Sequence, residues 1–120
     1  MTDHDMLKYG AHVPFFRGVF MRDALPKKYK QNEAGIINLD NQSGPGTHWV
    51  AYRKIGKTVV YFDSFGDLRP PREFEEYFKG CNIFYNYQRF QDYGTTNCGQ
   101  LCIHFLHLKD PSEKLLLKNI

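Results

Sequence analysis

The sequence lacks any apolar run close to the roughly 20 residues that a membrane-spanning helix needs. Its first ten residues, MTDHDMLKYG, are polar and acidic, so we expect no secretory signal and an intracellular location. No GxxxxGK, GxGxxG or GxSxG motif occurs, which argues against P-loop, dinucleotide-binding and serine-hydrolase chemistry. The net charge of +3 is too small an excess to indicate nucleic-acid binding by itself.

Cysteine is also scarce, with three residues at Cys81, Cys98 and Cys102. The odd count, in a chain without an export signal, favours free thiols in a reducing compartment. There is no CxxC pair, and Cys98 and Cys102 have the i, i+4 spacing of a helix. His104 and His107 do not complete a zinc-finger spacing with them. We therefore expect no metal site and no cofactor required by the sequence.

The length and composition predict one folded domain. The chain has 120 residues, of which 42% are hydrophobic and 24% charged, values that are ordinary for a globular protein. A chain of this length buries about two-thirds of its unfolded surface and needs no disulfides to fold. We expect a single domain over residues 1–120, present as a monomer.

Local patterns predict an α+β fold in which a small mixed or antiparallel sheet is flanked by helices. The predicted strands are residues 34–39, 48–54, 58–63 and 82–88. The predicted helices are residues 3–10 capped by Thr2, 70–78 opened by Pro70 and Pro71, 98–108, and a short one begun by Pro111 and Ser112. Residues 14–26 are interpreted as irregular chain with one helical turn, and 41–47 and 91–97 as loops. Lys27, Lys28 and Lys30 are interpreted as a solvated basic loop, with a weak nucleic-acid contact as the alternative.

A histidine and an aspartate stand at the ends of the predicted hairpin. With Ile55 and Gly56 as its two loop residues, His48 lies directly opposite Asp63 on the same face of the sheet. Their Cβ atoms would then be roughly 4.5–5.5 Å apart, close enough for a carboxylate to bond an imidazole. A chance pair at the end of a sheet is the structural alternative.

Cys98 is the best candidate for a nucleophile that such a histidine could serve. It follows a polar loop and begins a predicted helix, where unpaired N–H groups and the helix dipole favour the thiolate. Cys102 falls instead on the apolar stripe of that helix, with Leu101, Phe105 and Leu106. Gln91, in the preceding loop, could aim its amide at a developing oxyanion. The plain alternatives are a small packed residue for Cys98 and a solvated side chain for Gln91.

These residues, in this order, resemble the adenovirus-type cysteine proteases, which share a fold with the SUMO proteases. The motifs that carry the resemblance are GTHW (46–49), FDSFG (62–66), Gln91 and, seven residues further on, NCG (97–99). The segment PFFRGVF (14–20) is similar as well, so the resemblance runs from about residue 14 to residue 106. The segment VFMRD (19–23), with Leu25 and Pro26, looks closest to proteases of Polinton/Maverick elements and adintoviruses.

The resemblance implies specific roles. Cys98 would be the nucleophile, His48 its general base, Asp63 the residue that orients His48, and Gln91 an oxyanion donor together with the Cys98 backbone N–H. Trp49 would flank the substrate path and impose a preference for glycine near the cleaved bond, with core packing as the alternative. The implied function is an endopeptidase that cleaves capsid precursors in the host nucleus or cytoplasm, and within the virion.

The family also implies an activating peptide or DNA. Cys81 lies near the place where the adenovirus enzyme holds its disulfide-linked peptide, although a core or strand-end cysteine is the simpler interpretation. The chain has one Trp and so lacks the second Trp with which SUMO proteases clamp a Gly-Gly tail. Removal of a ubiquitin-like modifier is the alternative enzyme function, and a non-catalytic binding module of the same fold is the other alternative.

Overall fold

The computed structural model describes residues 2–40, 48–66, 69–91, 98–110 and 115–120. Within these ranges the helices are α1 (Asp3–Gly10), α2 (Arg72–Tyr77) and α3 (Cys98–Leu106). The strands are β1 (Phe16–Met21), β2 (Asn32–Asn38), β3 (Trp49–Ile55), β4 (Thr58–Phe62), β5 (Asn82–Asn86) and β6 (Leu117–Asn119). No described helix has the length and apolar character needed to cross a membrane.

The six strands form one mixed sheet in the spatial order β1-β2-β3-β4-β5-β6. The pairs β1–β2 and β4–β5 are parallel, and the three remaining neighbouring pairs are antiparallel. One apolar cluster joins α1 and α3 to the sheet through residues such as Met6, Phe62 and Phe105. A second cluster, on the other face, holds Phe74 of α2 and Tyr52 of β3. The sheet is therefore the middle layer, with α1 and α3 on one side and α2 on the other.

The predicted helices that fall in the described residues are confirmed. Thr2 caps α1 in a reciprocal capping box, because its side chain bonds the Asp5 N–H and the Asp5 carboxylate bonds the Thr2 N–H. Pro71 is the N-cap of α2, and Glu73 and Glu75 stand in the first turn of that helix. Of the predicted apolar stripe of α3, Cys102, Phe105 and Leu106 are buried and Leu101 is half-buried.

The interpretation of residues 14–26 is wrong. Residues 14–26 were expected to be irregular, yet they contain β1, which pairs in parallel with β2. A shift in register between Phe16 and Val19, with Gly18 at a φ of 137°, interrupts the alternation that identifies a strand in a sequence. The predicted last helix, begun by Pro111 and Ser112, lies outside the described residues, which omit 111–114. The chain beyond them forms β6, because its backbone pairs with β5.

The hairpin is confirmed, but its predicted register is wrong. Gly56 and Lys57 form the turn, so Ile55 pairs with Thr58 and Ala51 pairs with Phe62. Gly56 has a φ of 59°, and a positive φ at the first turn position alone is typical of a type II′ turn. The error moves every partner by two residues, which leaves each side chain on its predicted face. The predicted strand 34–39 is confirmed as β2, and 82–88 as the shorter β5.

Candidate active site

His48 and Asp63 are in contact at the edge of the hairpin. His48 comes directly before β3 and Asp63 directly after β4, and the imidazole Nε2 lies 2.8 Å from Asp63 Oδ1. The same carboxylate oxygen accepts the backbone N–H of Phe65 at 3.0 Å, as an Asx turn does. Asp63 is only 1% exposed, so its carboxylate is held in place and shielded from solvent.

Asn86, the last residue of β5, holds the main chain of Asp63. Its Oδ1 accepts the Asp63 N–H at 2.8 Å, and its Nδ2 donates to the Asp63 carbonyl at 2.7 Å. Nδ2 also donates to the carbonyl of Gln88 at 3.1 Å. The ladder between β4 and β5 ends at Tyr61 and Tyr85, so this side chain continues the pairing where the backbones separate.

The imidazole of His48 is covered by an aromatic ring. Phe65 stacks on it with ring centroids 4.4 Å apart and an interplanar angle of 20°. Such a stack favours the protonated imidazole, because a cation is attracted to the face of an aromatic ring. Phe65 and Asp63 belong to the same turn, closed by a hydrogen bond from the Gly66 N–H to the Asp63 carbonyl. One turn therefore supplies both the carboxylate that bonds His48 and the aromatic ring that covers its imidazole.

Cys98 is the first residue of α3 and hydrogen-bonds to His48. Because Nε2 of His48 is bound to Asp63, Nδ1 is the ring nitrogen left for the interaction with the thiol. Burial favours the neutral thiol, but the bond to His48 and the backbone amides of Trp49 and Gly99 outweigh it. These contacts hold the pKa of Cys98 below its ordinary value.

His48 shows the complementary effect. Burial disfavours its charged form, but hydrogen bonds and charge from Asp63 and Cys98 outweigh burial and raise the pKa of His48 to about 9. Both shifts act in the same direction, because each favours the charged pair of thiolate and imidazolium over the neutral pair. Cys102 differs, because complete burial raises the pKa of its thiol. Cys81 is half-buried, carries a free thiol and packs against the cluster that contains α2.

Gln91 lies in the structure as a buried residue, 6% exposed, at the end of the segment that follows β5. Its side-chain oxygen Oε1 accepts the hydroxyl of Ser64, the residue after Asp63. The main chain of the two segments is joined as well, because the Ser64 carbonyl accepts the N–H of Gln91 at 3.1 Å. Gln91 is therefore a buried, hydrogen-bonded residue. The alternative, a solvated side chain in a loop, does not describe it.

Trp49 begins β3 and is 8% exposed, packed in the same apolar cluster as Cys98 and Cys102. Its backbone amide interacts with the Cys98 sulfur and helps to lower the pKa of that thiol, and its indole is largely buried. This placement agrees with the core-packing alternative, and its role in substrate binding stays a prediction. Residues 46 and 47 and residue 97 of the motifs lie outside the described residues.

Ser64, Phe65 and Asn86 were not predicted as site residues. A signal existed for two of them, since Ser64 and Phe65 directly follow Asp63 in FDSFG. Asn86 gives a weaker signal, because asparagine is uncommon in strands. Its burial is visible only in the structure. No group of three or more His, Cys, Asp or Glu side chains among the described residues is arranged to hold a metal ion.

The geometry defines a thiol with a hydrogen-bonded histidine, which an aspartate orients, at the first turn of a helix. A scan against protein-family models and a search of curated proteins found no match to this chain.

Proposed function

We propose that this chain is a cysteine endopeptidase with Cys98 as nucleophile, His48 as general base and Asp63 as the residue that orients His48. One observation carries the proposal: His48 bonds Asp63 through Nε2 at 2.8 Å while its ring also bonds the Cys98 thiol. A nucleophile paired with a base that a third group orients is the arrangement of covalent acyl-transfer enzymes. If the three side chains served packing alone, there would be no need for Asp63 to bond His48 and for His48 in turn to contact the thiol.

The chemistry follows from these contacts. The Cys98 thiolate attacks the carbonyl carbon of the scissile peptide bond, and the carbonyl oxygen becomes negatively charged. The Cys98 backbone N–H and the Gln91 amide would donate to that oxygen. The His48 imidazolium then gives its proton to the leaving amine, which departs and leaves a thioester on Cys98. Water, deprotonated by His48, hydrolyses the thioester and restores the thiol.

The finer proposal concerns fold and substrate. The order His48, Asp63, Gln91 and Cys98 along a mixed sheet supports a protease fold of the adenovirus and SUMO-protease type. By that resemblance we propose viral capsid precursors as substrates, cleaved at glycine-containing sites. A peptide or DNA activator belongs to the same proposal.

The test is cleavage of a defined protein mixture. Denatured cell-lysate proteins with blocked amino termini are incubated with the wild-type chain, and new amino termini are identified by mass spectrometry. We expect new termini clustered at glycine-containing sites. The Cys98→Ala variant should produce none, whereas Cys81→Ser, which changes a thiol outside the site, should match the wild type.

A further experiment identifies the substrate class. A folded ubiquitin-like protein fused to a reporter should stay intact if the chain is a capsid-type endopeptidase. Selective cleavage of that fusion would instead favour removal of a modifier. Absence of any Cys98-dependent cleavage, with and without added DNA, would contradict the proposal.

A further inference from the structure

Arg53, in β3, holds the turn that follows α3. Its Nη1 donates to the carbonyl of Leu108, and its Nη2 donates to the carbonyl of Lys109 at 3.2 Å. The side chain is half-buried between the sheet and this turn. A guanidinium presents its donors in a rigid fork, so two bonds to neighbouring carbonyls fix both the distance and the direction of the turn. Directional bonds therefore join β3 to the end of α3.

The start of α3 also contacts β3. Cys98, the first residue of the helix, interacts with the backbone amide of Trp49, the first residue of the strand. The chain rises about 15 Å from Cys98 to Leu108 at helical spacing, and about 13 Å from Trp49 to Arg53 at strand spacing. α3 therefore runs alongside β3 in the same direction, with one polar contact near each end.

The contacts between these two ends are apolar. Trp49, Ala51 and Arg53 share the face of β3 that α3 covers, because alternate residues of a strand point to the same side. Ala51 is fully buried in the cluster that also holds Cys102 and Phe105 of α3. Apolar contacts are not directional, so they hold α3 against the sheet but define its position along the strand less sharply than hydrogen bonds do. The bonds of Arg53 supply that constraint.

We propose that Arg53 is a positioning residue, which fixes α3 along β3 and thereby sets the distance between the Cys98 thiol and the His48 imidazole. The inference rests on the proposed function for the catalytic meaning of that distance. His48 directly precedes β3, so one stretch of chain carries both the base and the residue that holds the nucleophile's helix. A displacement of about 1 Å between reacting groups can lower a rate roughly 10²-fold. A contact at the far end of α3 can therefore affect the chemistry at its start.

The kinetic test is the Arg53→Met variant, which keeps the apolar stem of the side chain and removes its donors. We expect kcat on a peptide substrate to fall about 10- to 100-fold, with KM changed by less than about twofold, because thiol and base are misaligned while substrate contacts remain. The pH midpoint of Cys98 alkylation should rise, since a looser contact with His48 stabilises the thiolate less. A folded Arg53→Met protein with the wild-type kcat and midpoint would overturn the inference.

Lys54, the next residue of β3, provides a matched control. Its side chain lies on the opposite face of the sheet, where Nζ donates to the carbonyls of Lys30 and Gln31 at 2.7 and 2.8 Å. Lys54→Met thus removes one positive charge and two bonds to neighbouring carbonyls, but none that reaches α3. It should lower the free energy of unfolding and leave kcat and the Cys98 midpoint unchanged. Equal effects of Lys54→Met and Arg53→Met on both quantities would overturn the inference, because lost stability or lost charge would explain them.

A spectroscopic readout tests the inference without any cleavage. The backbone amide of Trp49 interacts with the Cys98 sulfur, so its NMR signal reports where the start of α3 lies. Arg53→Met should shift this signal from about 13 Å along the strand, whereas Lys54→Met should not. Arg53→Lys keeps the charge but lacks the fork, and it should show a smaller shift of the same kind if Arg53→Met does not fold. An unshifted Trp49 signal in a folded Arg53 variant would overturn the inference, whereas an inactive wild type would contradict only the proposed function.

Discussion

Nε2 of His48 lies 2.8 Å from Oδ1 of Asp63 although neither residue belongs to a strand. The ladder between β3 and β4 ends at Ala51 and Phe62, so it does not itself bring the two side chains together. Asp63 is held instead by Asn86 of the next strand and by its own turn. The candidate site is therefore built by three adjacent strands, with α3 bringing Cys98 to the other side of the imidazole.

Substitutions at the candidate site should differ in severity in a fixed order. Cys98→Ala should abolish cleavage because no thioester can form, and His48→Ala should be nearly as severe. Asp63→Asn should retain part of the activity, because thiol and imidazole remain. Gln91→Ala should lower kcat by roughly 10²–10³-fold. The measurement is kcat/KM on one peptide substrate, with circular dichroism to verify folding. An active Gln91→Ala variant would remove only the oxyanion assignment.

The thiolate–imidazolium pair predicts the pH dependence. The pKa of Cys98 lies below its ordinary value, so its alkylation by iodoacetamide should begin at a lower pH than that of a free thiol. The pKa of His48 is about 9, so cleavage should decline above about pH 9, where the imidazolium that protonates the leaving amine is lost. In His48→Ala the alkylation midpoint should move to higher pH. An unchanged midpoint would contradict the pairing.

The three thiols should differ in reactivity. Cys98 combines a helix start with a histidine partner and should be alkylated first at neutral pH. Cys102 is fully buried, with its pKa raised, and should react only on unfolding. Cys81 is half-buried and lies away from His48, so it should react more slowly than Cys98. Mass spectrometry of peptides after timed labelling measures the three rates. Equal rates in the folded protein would count against an activated Cys98.

Two glycines with positive φ provide a matched pair of substitutions. Gly66 has a φ of 72° and Gly56 a φ of 59°, so alanine at either position costs roughly 1–2 kcal/mol of backbone strain. Only at Gly66 would the added Cβ meet another backbone, 1.8 Å from the Gln88 oxygen, whereas nothing lies within 4 Å at Gly56. Urea unfolding should show the larger loss for Gly66→Ala, and only that variant should lose activity. Equal losses of stability would contradict the close packing of the turn.

Asn86 should matter for stability and for activity. Asn86→Ala leaves the buried N–H and carbonyl of Asp63 without this partner, at roughly 1–3 kcal/mol for each group left unpaired. Asn82→Ala, at the exposed start of the same strand, is the control and should change little. We expect Asn86→Ala to lower both the free energy of unfolding and kcat/KM. Wild-type kcat/KM in a folded Asn86→Ala protein would show that Asp63 does not need this clamp.

The features that could be predicted from the sequence are those that depend on local interactions. The cap at Thr2, the apolar stripe of α3 and the strand-forming runs of β3 and β4 arise between residues a few positions apart, so their patterns are visible in the chain. The same holds for naming His48, Asp63, Gln91 and Cys98 as candidates, since each stands at the end of a predictable element or in a motif. Their catalytic roles stay predictions that the experiments above test.

The remaining features of the fold and the site depend on contacts that form only in the folded protein. β1 is a strand because it pairs with β2, and β6 is a strand because it pairs with β5. Neither segment has a local periodicity that predicts a strand. The register of the hairpin depends on which two residues form the turn. Gly56 can adopt the positive φ that the first turn position needs, so the turn forms at Gly56 and Lys57. The contacts that orient the site join residues far apart in the sequence: Asp63 to Asn86 across 23 positions and Ser64 to Gln91 across 27. Such bonds exist only once the sheet has assembled, because packing of the strands is what brings these side chains within reach.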